Sequence, residues 1–391
     1  MGSADMSLPL ATSPNLVLVP PTPKERLECL RINGAAWRGC LDIEQYIQRE
    51  DHLIRQEMTK DGALSFWILV ERQLPPNNRT ILSSCETFAK RAFLAHDGKV
   101  EDIVAHTVGS VFSRPEFRGR GYAKRMIAEL AKVLETWQQD GSVRKKTIFS
   151  TLYSDIGKTF YAAHGWKPYQ SSHMVLSPVP RADMEKDLDG IDMALVKDLE
   201  AEDVRKHMCS DAVMERNRTF MRNASIADGR AKVAIAPDFS HMSWHWAREE
   251  FYAPILAPSK CVPRVKGAGA PSRRVFLSWN RKFDSNTKDC TLHILRAQYE
   301  EPVSPEERQA VVDGLAGALR RAQVEAHEWG MHHVEIWNPS PVMQEAAKLL
   351  DNTAKEIHRD SYGIASLKWE GKEFGLGEDV DWCWNERYAW C

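Results

Sequence analysis

The sequence predicts a layered α/β protein: a mixed, twisted sheet flanked by helices, followed by a second and degenerate copy of the same plan. Three observations carry this. Short apolar runs and amphipathic stretches follow the order β-α-α-β-β-β-α-β-α-β through residue 178. A turn rich in glycine and arginine, Arg118 to Ala123, joins a buried strand to an amphipathic helix. Beyond residue 192 the order strand, strand, long helix, strand, helix, strand recurs.

Each element has a local reason. Asn15 to Val19 is a short strand. Thr22 followed by Pro23 is an N-cap with proline at the first helical position. The helix that follows carries Leu27, Leu30 and Ile32, and Leu41 to Arg55 is a second helical stretch. Phe66 to Val70 is a continuous apolar run, hence a buried strand. Ile81 to Leu94 reads as a strand broken near Ala89-Lys90, and Ile103 to Ser113 as the strand that feeds the turn. The helix after the turn places Met126, Ile127, Leu130, Val133, Leu134 and Trp137 on one stripe. Lys146 to Leu152 is a strand, Ile156 to His164 a helix ended by Gly165, and Met174 to Leu176 lies in a closing strand.

In the second half, Ala201 to Ala224 and Ser240 to Tyr252 read as helices and Pro254 to Arg274 as a surface loop. Val275 to Trp279 and Thr291 to Tyr299 are strands. Ser304-Pro305-Glu306-Glu307 opens a long helix to Trp329 with cap, proline and capping-box acid together. Val334 to Trp337, Pro341 to Leu350 and Ile364 to Trp369 complete the repeat. Nine of the 13 tryptophans lie beyond residue 192, which argues for an aromatic-rich core or cleft there.

The expected division is a loose tail over residues 1–13, a first domain over 14–178, a charged connector over 179–192 and a second domain over 193–391. A chain of 391 residues suits two cores. Charge is balanced, 52 basic against 54 acidic residues, which gives no support for a nucleic-acid partner. No apolar run is long enough for a membrane span. The eight cysteines are scattered without a paired spacing, the pattern of reduced thiols, and no metal is expected. Neither a targeting signal nor a prenylation box is recognisable, so a cytoplasmic location is the default; oligomeric state is not read from the sequence.

The turn is the chemical centre. Gly119 and Gly121 let successive N–H groups point one way at a helix start, between Arg118 and Arg120, which is an anion site suited to a pyrophosphate. It is not a Walker A loop, since no Gly-Lys-Ser/Thr follows, and position 124 is Lys124 where a dinucleotide fingerprint wants its third glycine. The residues fit Arg/Gln-x-x-Gly-x-Ala, and the turn thereby resembles the coenzyme A loop of the GCN5-related N-acetyltransferases. Asp155 to Trp166 resembles the second signature of that family, where a tyrosine precedes a glycine-aromatic pair by four residues.

The resemblance implies the GCN5-related acetyltransferase fold, with acetyl-CoA as co-substrate and direct transfer to an amine. It places the pyrophosphate on Arg118, Gly119, Arg120, Gly121, Tyr122, Ala123 and Lys124. It places the pantetheine on the backbone of Val111, Phe112 and Ser113, where the strand splays, and groups Asp155 with them. Tyr161 becomes the acid for the departing thiolate, with a packing tyrosine as the alternative. The base stays open: His106 lies on the strand where the family often has a glutamate, and a packed core histidine is the alternative. At the matching turn of the second half, Tyr299-Glu300-Glu301-Pro302-Val303 would repel a pyrophosphate, so that half is not expected to bind coenzyme A.

Longer stretches, SVFSRPEFRGRGYAKRM, LYSDIGKTFY, HWAREEF, VEIWNPSP and the terminal WNERYAWC, together resemble the fungal lysine N6-acetyltransferase family of lysine catabolism. The resemblance implies formation of N6-acetyl-L-lysine. For the acceptor, Trp244 and His245 are candidates for a substrate cage; at their helical spacing, packing into the core is the alternative. The tail from Glu378 to Cys391 is expected to wall the site, with Glu386 or Asp381 near the amine and Trp384 among the substrate-binding residues; packing into the second core is the competing expectation. Other readings are an acetyltransferase for another small amine or a protein lysine, and a non-catalytic acyl-CoA sensor.

Overall fold

A computed structural model describes residues 8–138, 147–260, 262–377 and 379–391. Residues 1–7 of the expected tail, Lys146 and Glu378 therefore lie outside the described residues. The first half runs β1 (Leu16–Val19), α1 (Pro23–Trp37), α2 (Ile43–Ile54), β2 (Leu64–Glu71), β3 (Ser83–His96), β4 (Lys99–Phe112), α3 (Tyr122–Leu134), β5 (Thr147–Ser154), α4 (Thr159–Ala162), β6 (Lys167–Pro168) and β7 (Ser172–Leu176). The second runs β8 (Lys197–Leu199), α5 (Ala201–Met208), α6 (Asp211–Asp228), β9 (Ala231–Ile235), α7 (Phe239–Leu256), β10 (Gly267–Ala270), β11 (Val275–Lys282), β12 (Thr291–Gln298), α8 (Pro305–Glu328), β13 (His333–Trp337), α9 (Pro341–Leu350), β14 (Ile357–His358), β15 (Ile364–Trp369) and β16 (Val380–Trp382).

Helix starts follow the chain's capping residues. The Thr22 hydroxyl accepts from the Glu25 N–H while Glu25 returns the bond, and Ser304 caps α8 ahead of Pro305. Helix α3 buries Met126, Ile127, Leu130 and Leu134 against the first sheet.

Two mixed sheets form. The first has the order β1-β2-β3-β4-β5-β15-β6, with β9 added on β3 and β16 on β9; the second has β14-β7-β13-β12-β11-β10-β8. The halves have exchanged strands. β7, expected to close the first domain, pairs antiparallel with β13, while β15 of the second half pairs antiparallel with β5. Apolar burial follows the same exchange: Ala92, Ile103 and Phe149 share one core with Val233, Met242, Leu367 and Tyr388.

Several expected boundaries shift. β3 is unbroken at Ala89-Lys90; that is where it passes from β2, paired through Phe88, to β9, paired from Ala92. The stretch expected as a loop over Pro254 to Arg274 contains the buried β10. A Cβ on Gly267 would stand 2.2 Å from the Leu277 carbonyl oxygen, so glycine is required and the strand lacks an apolar signature. The expected helix over Ile156 to His164 is one turn, because the Gly157 N–H is drawn to the Ser361 carbonyl of the second half. Residues 8–13 are not loose: Tyr122 Oη donates to the Pro9 carbonyl at 2.5 Å, and Arg125 Nη1 to those of Ala11 and Ser13 at 3.1 and 3.3 Å.

Candidate active site

The parallel ladder between β4 and β5 ends at Val108↔Leu152. Beyond it the strands part, and β4 kinks at Ser110, whose φ is +51°. This gap leaves the β5-facing edge of residues 110–112 without a strand partner. Val111 is half-buried, and Phe112 is buried with its ring edge-on to Trp37 at 5.3 Å. The Ser113 hydroxyl donates to Ser83 Oγ at 3.0 Å.

The turn from Arg118 to Ala123 lies at the end of this gap. Gly119 and Gly121 both have positive φ, +78° and +86°, and Gly121 is the N-cap of α3. The first-turn N–H groups at Tyr122, Ala123 and Lys124 have no helical acceptor and point out of the helix start. Nothing stands within 4 Å of a Cβ placed on Gly119, so the concavity is open. Arg118 folds back, donating Nε to the Ser113 carbonyl at 3.2 Å; Arg120 and Lys124 are exposed. The result is an anion nest reinforced by a helix dipole.

Tyr161 packs on the same side of the sheet as α3, in one cluster with Cys85, Val108 and Met126. Its hydroxyl makes no hydrogen bond among the described residues, and burial raises its pKa. His106 is elsewhere. Its ring is 1% exposed with both nitrogens unpartnered, near Trp137 past the far end of α3, and burial lowers its pKa to about 4. A 13-residue helix is ~20 Å long, so that ring is remote from the nest.

On the other side of the sheet, Glu86 of β3 lies opposite Gly109 in the β3–β4 register. It accepts from Ser110 Oγ at 2.7 Å. Burial, then the nearby Glu50, push its pKa up to about 7, against the lowering influence of Ser110, Arg26 and Arg49. The sequence carried one weak signal for Glu86, the single acid of the strand Ser83–His96.

A cavity of about 600 Å³ adjoins the gap. Trp37 from the end of α1, Asp155 after β5, His245 and Arg248 of α7, Glu335 of β13 and Trp390 of the tail line it. Next to Trp390, the Cys391 carbonyl oxygen lies 3.9 Å from where a Cβ on Gly109 would stand. Asp155 faces this cavity rather than the nest, because its carboxylate accepts the Gly363 N–H at 2.9 Å. His245 Nε2 lies 3.2 Å from the Tyr388 carbonyl, and burial holds its pKa well below the usual value. Trp244 is buried against Phe88 and does not reach the cavity.

The tail residues expected there lie around a second cavity instead, also about 600 Å³. The β12–β13 ladder ends at Ile294↔Ile336, which opens the matching gap in the second half. Glu386 fills it, accepting the Ala297 N–H at 3.3 Å and pairing with Arg296. Trp384 packs on Arg296, and Asp381 pairs with Lys232 and with Arg230 at 2.8 Å. These carboxylates are neutralised by fixed cations and are not presented to the cavity beside Asp155. Glu300, in the turn that replaces the nest, is held by Arg274 at 3.2 Å.

Comparison with known families decides the kinship. The family described as LYC1 GNAT-like C-terminal domain matches residues 173–391, more than half of the chain. The chain belongs to that family. It is an N-acetyltransferase of the GCN5-related type. A lysine acetyltransferase of Yarrowia lipolytica is 23% identical over 411 residues, covering 95% of this chain and 98% of the relative. An uncharacterized protein of Saccharomyces cerevisiae is also 23% identical, over 402 residues, covering 92% and 93%. A GCN5-related N-acetyltransferase from Kribbella flavida aligns with a TM-score of 0.49 at 15% identity, over 90% of this chain and 70% of that one. Among the described residues no helix is long and apolar enough to cross a membrane, and no cluster of His, Cys, Asp or Glu could hold a metal ion.

Proposed function

We propose that the protein moves an acetyl group from acetyl-CoA to the ε-amine of free L-lysine. The observation that carries this reading is the continuity of three parts: the anion nest at Gly119–Ala123, the parted strands β4 and β5, and the charged cavity at their end. The name of the Yarrowia lipolytica relative supports lysine as the amine.

The open turn suits the pyrophosphate of coenzyme A: two glycines at positive φ, unpaired N–H groups and flanking arginines answer its charge. The β5-facing edge of Val111 and Phe112 suits the amides of the pantetheine arm. When bound, acetyl-CoA supplies an activated acyl carbon. The chain does the rest. A backbone N–H of the parted strand donates to the carbonyl oxygen that gains charge. Tyr161, a phenol protonated at working pH, donates a proton to the leaving sulfur.

The amine must arrive neutral or lose a proton, since a free lysine ε-ammonium titrates near 10.4. Glu86 is the proton acceptor in this reading. The Ser110 hydroxyl already donates to it from the kink of β4, so a proton passed to Ser110 from the amine side can move on to Glu86. His106 has no such connection to the gap.

A thiol-release assay with acetyl-CoA and a panel of L-lysine, other diamines and a lysine-containing peptide tests the reading. Turnover with L-lysine well above the rest is expected. Turnover confined to the peptide, or none with any amine, refutes it.

A further inference from the structure

The cavity beside the parted strands holds two guanidinium groups with no carboxylate in salt-bridge contact. Arg248 of α7 and Arg387 of the tail both line it, and neither makes an ion pair among the described residues. The single indole of Trp390 serves both, 4.0 Å from the Arg387 guanidinium and 5.7 Å from that of Arg248. Arg387 is held from its other side by Trp337 at 4.3 Å, and its Nε is buried without a partner. Elsewhere in the interior Arg281 is matched by Glu249 and Glu325 and Arg296 by Glu386, while Arg359 is held by the Ser172 and Gly363 carbonyls.

The acids of the same cavity are already engaged. Glu335 receives the Trp337 indole N–H and lies 3.7 Å from both His293 and His333. Asp155 receives the Gly363 N–H, Asp284 lies 3.5 Å from Lys282, and Asp289 receives the Asn286 side-chain amide at 2.8 Å. Desolvation, which outweighs the attraction of Glu335, lowers the pKa of Arg387 to about 10, and that of Arg248 moves the same way. Both are still cations at neutral pH. A desolvated cation without a partner is costly, and a ligand that brings the opposite charge recovers the cost.

We propose that Arg248 and Arg387 form a carboxylate subsite, so that the acceptor amine belongs to a molecule carrying its own carboxylate. A free amino acid meets this condition; a lysine within a polypeptide does not, because its α-carboxyl is spent in a peptide bond. Guanidinium forks fixed by aromatic faces suit a planar carboxylate. The proposal rests on the cavity being the acceptor site, as in the function proposed above.

The test uses the full chain with L-lysine and L-lysinamide, in which a neutral carboxamide replaces the α-carboxylate. In the unaltered protein, kcat/KM for lysine should exceed that for lysinamide by about tenfold or more. In Arg387→Gln and in Arg248→Gln that ratio should fall towards one, mainly through KM for lysine. Calorimetry with hexanoate, a carboxylate without an amine, reads the subsite apart from turnover, and either variant should weaken its binding at least tenfold. Hexanoate binding that depends on the arginines, in a protein that does not acetylate lysine, supports the subsite and refutes the lysine reading alone. Equal use of lysine and lysinamide, or hexanoate binding unchanged by both variants, overturns the proposal. If Arg387→Gln loses its native circular dichroism, Arg248→Gln carries the comparison.

Discussion

Replacing Glu86 by glutamine removes one ionisable group while keeping its size and its capacity to accept from Ser110. Glu86 is 8% exposed, and its pKa rises from 4.5 to about 7. That difference corresponds to roughly 3 kcal/mol of penalty for the charged form in the folded state. The sign follows from linkage. A group whose folded pKa lies above its unfolded value gives stability that is fully present below about pH 4.5 and lost as pH rises through about 7. Glu86→Gln lacks this dependence. In urea titrations, the variant should therefore gain on the unaltered protein by up to ~3 kcal/mol between pH 4.5 and 8. If Glu86 receives the proton from the amine, kcat/KM should also lose the limb that rises near pH 7, with a drop of about 100-fold at the plateau. A stability difference that is flat from pH 4.5 to 8, together with an unchanged rate profile, would falsify the assignment.

Other changes test other parts. Gly121→Glu puts a side chain at φ +86°, with its Cβ 3.2 Å from that of Ala11, and adds a negative charge to the nest; calorimetry should find acetyl-CoA binding abolished, and retained affinity refutes the nest. Tyr161→Phe should lower kcat about 10-fold or more at constant KM for acetyl-CoA in steady-state kinetics, whereas an equal kcat removes Tyr161 from the chemistry. Glu249→Ala leaves Lys266 and Arg281 buried without their shared carboxylate, and should cost ~3–5 kcal/mol in urea unfolding; a loss below ~1 kcal/mol would contradict the network.

What the sequence made legible is local. The nest needs residues adjacent in the chain, and its glycines and its helix stripe can be read directly from Arg118 to Trp137. Tyr161 came from a short signature of the same kind. Glu86 was missed because its role depends on a strand pairing that sets it beside Ser110. Arg248 and Arg387 carry no such signal, because nothing in their sequence neighbours announces a missing partner; the acids of the tail are more conspicuous, and they are matched by Arg230, Lys232 and Arg296. For the run Trp244-His245-Trp246 residue type alone leaves cage and core open, and both tryptophans are core. α7 is enclosed by β3, β11 and the tail, through Phe88, the Trp279 carbonyl and the Tyr388 carbonyl.

The exchange of β7 and β15 also sets a timetable for synthesis. The sheet that carries the nest keeps an open edge at β5 until residues 364–369 have left the ribosome, because Ser154 must find Ile364. Pairings between such distant segments form late and leave strand edges exposed in the interval. A chain interrupted anywhere between the two would hold every residue of the nest and Tyr161, yet lack the strand that closes their sheet. Premature termination should therefore yield aggregating fragments rather than a smaller enzyme.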